Sequence, residues 1–121
     1  MAWTNSSDGC AGIIAKEAGW SQSRLMAEHS HIRVRWLHSS PDDPIELWSE
    51  LDVDREEVRK VEIWADGRVG YASDAGEGGG TRLGEIAVPP LSEINLDPQF
   101  RAEAVAGADF ESRWIDAIGK H

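Results

Sequence analysis

From His31 to His38 apolar and polar side chains alternate. Ile32, Val34 and Trp36 fall on one side and Arg33, Arg35 and Leu37 on the other, which is the period of a half-buried β-strand. Ser39 to Pro44 interrupts the pattern, because its prolines and aspartates cannot continue a ladder. Ile45 to Leu51 resumes it, with Ile45, Leu47 and Leu51 opposite Glu46, Trp48 and Glu50. If residue 38 faces residue 45, Trp36 lies beside Leu47, Val34 beside Ser49 and Ile32 beside Leu51. The other face then sets Leu37, Arg35 and Arg33 against Glu46, Trp48 and Glu50. The opposite-charge pair and the cation–π contact in this register are together worth about 1 kcal/mol, and a one-residue slip would undo both faces.

Val58 to Ala65 reads as the next strand, with Val61 and Ile63 on the apolar face beside Leu47 and Ile45. Asp66-Gly67 predicts a two-residue type I′ hairpin, which returns Val69 to Ala72 with Gly70 opposite Ile63 and Ala72 opposite Val61. Those small residues leave room for a covering element. The C-terminal helix is the candidate: between about Ala108 and Gly119, Phe110, Trp114, Ala117 and Ile118 recur at helical spacing, Asp109 and Glu111 suit the positive end, and Gly119 ends it. In between, Ser73 to Gly80 reads as a mobile loop and Leu83 to Val88 as a short strand stopped by Pro89-Pro90. Leu91 to Asn95 reads as one helical turn and Phe100 to Val105 as an edge strand.

The prediction is an α+β domain over residues 31–121, an antiparallel meander of about four to five strands with the C-terminal helix packed on one face. Residues 1–30 are expected to be an extension, part disordered and part short helix.

Length and composition narrow the class. A chain of 121 residues can bury a core without a metal or disulfide. Its one cysteine, Cys10, has no internal partner, so a reducing compartment is expected. With no apolar run near the length of about 18 residues that spans a bilayer, and no basic-then-apolar leader, the expectation is a cytoplasmic protein without a membrane partner.

The net charge is −10. Asp42, Asp43, Glu46, Glu50, Asp52, Asp54, Glu56, Glu57 and Glu62 crowd into a stretch that holds only Arg55, Arg59 and Lys60 as bases. Such a field repels phosphate backbones and attracts a basic protein, although acids also serve simply to keep a small protein soluble.

Candidate chemistry is sparse. The glycines of residues 76–80 are followed by Thr81-Arg82-Leu83, not by the Lys-Ser or Lys-Thr of a phosphate cradle. Residues 13–26 resemble the turn of a helix-turn-helix, but Glu28 stands where the recognition helix should carry an apolar residue. His29 and His31 would share one side of a strand, yet lack a nearby third ligand, so no metal and no cofactor are predicted. The sheet's second face joins Arg35, Glu46, Trp48, Glu50, Glu62 and Trp64, a mixture of aromatics and acids suited to meeting a protein. The competing reading is that Trp48 and Trp64 are covered by the N-terminal segment or by residues 83–105.

The leading expectation is therefore a non-enzymatic protein-binding domain with a basic protein partner, in its most specific form an immunity-type inhibitor of a basic toxin. The alternatives are a DNA-associated regulator using residues 13–26 and a small enzyme with an acidic site.

Read together, Arg35-Trp36-Leu37-His38, Glu46-Leu47-Trp48-Ser49-Glu50-Leu51-Asp52, Arg59-Lys60-Val61-Glu62-Ile63, Asp66-Gly67-Arg68, Gly80-Thr81-Arg82-Leu83-Gly84-Glu85 and Pro89-Pro90 with Glu93-Ile94-Asn95 resemble a family of small bacterial proteins known only as a domain of unknown function. The resemblance covers residues 31–116. It implies a compact α+β domain of bacterial origin, and it assigns no activity and hence no catalytic residue.

Overall fold

A computed structural model describes residues 29–121. Cys10 and the helix-turn-helix-like segment 13–26 lie outside the described residues. Along the chain come β1 (Ser30–Trp36), β2 (Glu46–Leu51), β3 (Glu57–Ile63), β4 (Val69–Ser73), β5 (Gly76–Gly78), α1 (Leu91–Ile94), β6 (Phe100–Ala104) and α2 (Gly107–Gly119). The strands form one sheet in the order β5-β4-β3-β2-β1-β6, antiparallel at every pairing.

The α+β meander with its C-terminal helix is as expected, but the sheet has six strands rather than four to five. The extra strand comes from the glycine-rich stretch read as a mobile loop. There Gly76, Glu77 and Gly78 pair with Ser73, Ala72 and Tyr71, and the Tyr71 ring lies so close over Gly78 that a Cβ would meet it at 2.4 Å. Residues 83–88, expected as a strand, carry no regular structure.

Three registers differ from expectation, with different consequences. β1 and β2 pair with Val34 opposite Leu47 and Arg33 opposite Trp48, two residues from the predicted alignment. A shift of two keeps every side chain on its face. β2 and β3 are displaced by one residue, with Trp48 opposite Val61 and Leu47 opposite Glu62. The ladder between them is irregular at Glu50 and Leu51, and an irregularity of that kind changes which side chains share a face. Val61 and Ile63 therefore lie on the side of Trp48, while Lys60 and Glu62 lie on that of Leu47.

The β3–β4 hairpin is also displaced by one, with Val61 opposite Tyr71 and Glu62 opposite Gly70. Its cause is the turn: Trp64 N–H donates to the Arg68 carbonyl at 2.9 Å, leaving a three-residue loop. Gly67 has φ of 95° while Asp66 is not left-handed, so the loop is a type I turn followed by a left-handed glycine, not a type I′ turn.

Each face has its own core. On one, Trp48 and Val61 are buried against Phe110 and Ala117 of α2. Complete burial of Phe110 contributes about 2 to 3 kcal/mol. On the other, Ile32, Val34, Leu47 and Leu51 are buried against Val88 and Ile94, so a strap running from Gly79 into α1 covers this side. The helix thus lies on the Trp48 face and not, as expected, over Ile32 and Val34.

Gly70 explains why the strap goes where it does. A Cβ there would stand 2.1 Å from Thr81 Oγ1, so the gap left by the small residue is filled by Thr81 of the strap, not by the helix. Arg55, left-handed at φ of 64°, holds the far end of the strap. Its Nε and guanidinium nitrogen donate to the carbonyls of Val88 and Pro89, each at 2.7 Å, and its own carbonyl accepts from Val88 N–H at 2.8 Å.

Candidate functional site

The charged and aromatic residues singled out from the sequence separate into three places. Arg35, Glu46, Trp48 and Glu50 stand along the α2 face of β1 and β2. Glu62 points to the opposite face, where its carboxylate accepts from Thr81 Oγ1 at 2.8 Å. Trp64 lies at the β3–β4 hairpin, its Nε1 donating to the Asp42 carbonyl at 3.1 Å and its ring 5.2 Å from the Arg68 guanidinium. The expected set is therefore brought together only in part, because the one-residue displacement of β3 against β2 turns Glu62 through the sheet.

At the centre of the α2 face sits Glu50, 8% exposed. Arg59, one strand over in register, donates from Nε to Glu50 at 2.6 Å and from its two terminal nitrogens to Glu111 of α2 at 3.1 and 2.9 Å. Its guanidinium also lies 5.0 Å from the Phe110 ring and 5.1 Å from that of Trp114. Arg59 is thus the clamp between helix and sheet, joining two carboxylates and two aromatic faces.

His31 Nε2 stands 3.1 Å from the second oxygen of Glu50 and His29 Nδ1 3.6 Å from it. The two imidazoles do share a side, as alternation required. The first turn of α2 closes over His31, where a Cβ at Gly107 would meet Cε1 at 3.2 Å. Burial alone would raise the Glu50 carboxyl, but the hydrogen bonds from Arg59 and His31 and their charges outweigh it and hold the group below its ordinary value. Glu111 is likewise held low by Arg59, and the two carboxylates hold Arg59 protonated well above the ordinary guanidinium value. Such a set retains its charges and is a poor proton donor.

The opposite face carries a second charged cluster that the sequence pattern did not mark. Lys60 Nζ lies 3.3 Å from Glu57 and 4.0 Å from Glu62, with side chains only 8%, 2% and 16% exposed. Ser49 Oγ and the Gly84 amide complete the shell of Glu57 at 3.1 and 2.6 Å, and Lys60 donates to the Arg82 carbonyl at 3.4 Å. These bonds pin the strap to the sheet. Among the described residues no group of three or more His, Cys, Asp or Glu side chains is placed to hold a metal ion, and no helix is long and apolar enough to cross a membrane.

What stays open on the α2 face lies beside the helix. Arg33, Trp48, Asp109, Ser112, Arg113 and Asp116 line a groove of about 470 Å³. Trp48, only 5% exposed and covered by α2, underlies it, with the guanidiniums of Arg33 and Arg113 at 5.5 and 5.2 Å from its ring and its Nε1 donating to Glu46 at 2.8 Å. Arg35 reaches the same Glu46 at 3.8 Å.

Arg33 alternates with Arg35 and was visible as part of this face. Arg113 and Asp116 were not, since only the packing of α2 brings them to Trp48. Among curated proteins and among solved structures, nothing matches this chain. A family model does match, over residues 30–119, and the chain belongs to that family, a domain of unknown function (DUF6881).

Proposed function

We propose that this domain is a non-enzymatic protein-binding module that meets its partner along the groove between α2 and β1. In its most specific form it is an immunity-type inhibitor of a basic toxin in the cytoplasm. The observation that carries the reading is the floor of that groove: a Trp whose ring is fixed between two guanidiniums and one carboxylate, rimmed by exposed Asp109 and Asp116. Trp48 itself is buried, so what a partner meets is the set of charged side chains held in place over it, and a preorganised charged rim suits recognition of a charged protein.

Two further features support it. Glu50, the buried acid of the candidate set, is held ionised by Arg59 and His31, which suits a structural carboxylate better than a general acid. The net charge of −10 steers a basic partner toward the domain at low salt.

Affinity capture with the tagged chain tests the reading, using exposed rim variants rather than Trp48 or Glu50, whose substitution would disturb the helix. The expected result is a basic protein that the native chain retains and that Asp116→Lys releases. Equal retention by the variant, or the absence of any basic protein from the native eluate, would overturn the assignment of the groove.

A further inference from the structure

The edge strand β6 carries a device that the binding groove does not use. In its pairing with β1, Val105 N–H donates to the His31 carbonyl and Leu37 N–H to the Gln99 carbonyl. Odd-numbered residues of β6 therefore turn their amides toward β1, and Phe100, Ala102 and Ala104 turn theirs outward. Such a row is a template for another strand.

At its midpoint the row is plugged. The Asn95 side chain accepts from Ala102 N–H at 2.7 Å and donates to the Ala102 carbonyl at 2.9 Å, the two bonds that a neighbouring strand would make. Phe100 N–H is turned back onto the Asp97 carbonyl at 3.0 Å.

One side chain of this edge, Arg101, lacks a counter-charge among the described residues. Arg101 stands directly opposite Arg35, an unfavourable like-charge pairing. Among the described residues its guanidinium bonds to the carbonyls of Pro98 and Phe100, at 3.3 and 3.5 Å, and to no carboxylate. Beside it, Glu103 pairs with Arg33. A groove of about 480 Å³ runs along these residues, lined by Arg33, Arg35, Asn95, Arg101 and Glu103 among others.

The sequence Phe100-Arg101-Ala102-Glu103-Ala104 is self-complementary when run antiparallel to itself about Ala102. Arg101 of each copy then faces Glu103 of the other, and Phe100 faces Ala104. The outward amide and carbonyl of Ala102 meet those of the other Ala102 in a pair that exchanges two hydrogen bonds, while Phe100 N–H stays on the Asp97 carbonyl. The second copy thus supplies Arg101 with a carboxylate, which that copy's Glu103 shares with Arg33 of its own chain.

We infer that β6 is a docking edge for a second copy of this chain, paired antiparallel about Ala102, and that the Asn95 amide holds this edge closed until it swings aside. The bond pair from Asn95 to Ala102 is traded for the same pair between two Ala102 residues, so opening the edge leaves no backbone group of Ala102 unsatisfied. Docking at β6 uses a different edge from the groove beside α2, with Arg33, the partner of Glu103, common to both linings.

Sedimentation velocity over a concentration series tests it. Asn95→Ala should dimerise at a concentration at least about tenfold below that needed by the native chain. In that background Arg101→Glu alone and Glu103→Arg alone should each remain monomeric, since each homodimer faces like charges. Mixing the two should restore a dimer, because each chain now supplies the charge the other lacks.

The mixing experiment is repeated with Asn95 in place, at higher concentration, so that a folding defect of Asn95→Ala does not decide the matter. A mixture that stays monomeric in every background that folds, or a dimer that survives either single reversal, would overturn the inference.

Discussion

The two faces of the sheet are both covered and both carry a buried ion cluster, but the clusters are built differently. On the α2 face Arg59 reaches outward, its side chain 22% exposed, and joins Glu50 at 11% to Glu111 at 50%. On the strap face Lys60 at 8% and Glu57 at 2% are closed off from water, and backbone and hydroxyl donors fill the remaining positions. The first is a clamp that water can partly replace; the second is a closed network whose members depend on one another. Breaking a buried pair from one side leaves a charge without water or partner, which costs far more than losing an exposed pair.

The largest effect is therefore expected at Lys60. Lys60→Met leaves Glu57 and Glu62 facing each other without their cation and should lower the unfolding free energy by about 3 kcal/mol in urea titration. Arg59→Met removes more contacts, but water reaches Glu111 and Glu50 keeps His31 beside it. It should cost about 2 kcal/mol, lost hydrogen bonds and cation–π contact included. If Arg59→Met proves the more damaging, the distinction between clamp and closed network fails, and the docking of α2 stabilises the domain more than the pinning of the strap does.

The strap-side cluster also explains which parts of the fold could be read from the chain. Strand alternation over Ile32, Val34 and Trp36 was legible because the opposite positions, Arg33 and Arg35, are charged and lie toward an open surface. So was α2, whose Phe110, Trp114 and Ala117 repeat at helical spacing. Alternation in β3 was legible as a pattern but not as a direction, because the charged side of a strand ordinarily faces water and here it does not. Lys60 and Glu62 face inward under the strap, where Lys60 pairs with Glu57 and Glu62 and the strap adds polar partners, and Val61 faces the helix. A sheet covered on both sides gives no sign in one strand of which face is which.

The site inherited that ambiguity. Arg35, Glu46, Trp48 and Glu50 come from one hairpin with strong alternation, and they share a face as expected. Glu62 depends on how β3 meets β2, and a shift of a single residue there sent it through the sheet. Arg59 was read only as one of three bases in the acidic stretch; its pairing with Glu111 joins residues 52 apart, and spacing carries no information about such a contact.

A smaller effect distinguishes the clamp from the network by pH. Glu50 and Glu111 are held below their ordinary value of 4.5 in the folded chain. They bind fewer protons folded than unfolded, so their contribution is present above that value and is lost as pH falls through the folded ones. In Arg59→Met the chief cause of the lowering is gone, and the drop in stability on acidification below pH 4.5 should be shallower than in the native chain. Urea midpoints at neutral pH and at a pH below that value measure it; an unchanged slope would assign the acid sensitivity to carboxylates elsewhere.

The smallest effect is expected at the hairpin tip, where Arg68 bonds Asp66 through Nε at 2.9 and 3.2 Å and stacks on Trp64. By geometry this pair is as good as the clamp, yet both side chains are 60% exposed. Water replaces each contact as it breaks, and long side chains held in one geometry lose entropy that offsets the Coulomb gain. The turn itself does not depend on the arginine side chain, since the Arg68 backbone amide donates to Asp66 and Gly67 supplies the left-handed residue. Arg68→Ala should therefore leave the urea midpoint where it is. A shift as large as that of Arg59→Met would mean that exposure does not set the worth of an ion pair in this domain, and that the hairpin tip, rather than the two covered faces, limits its stability.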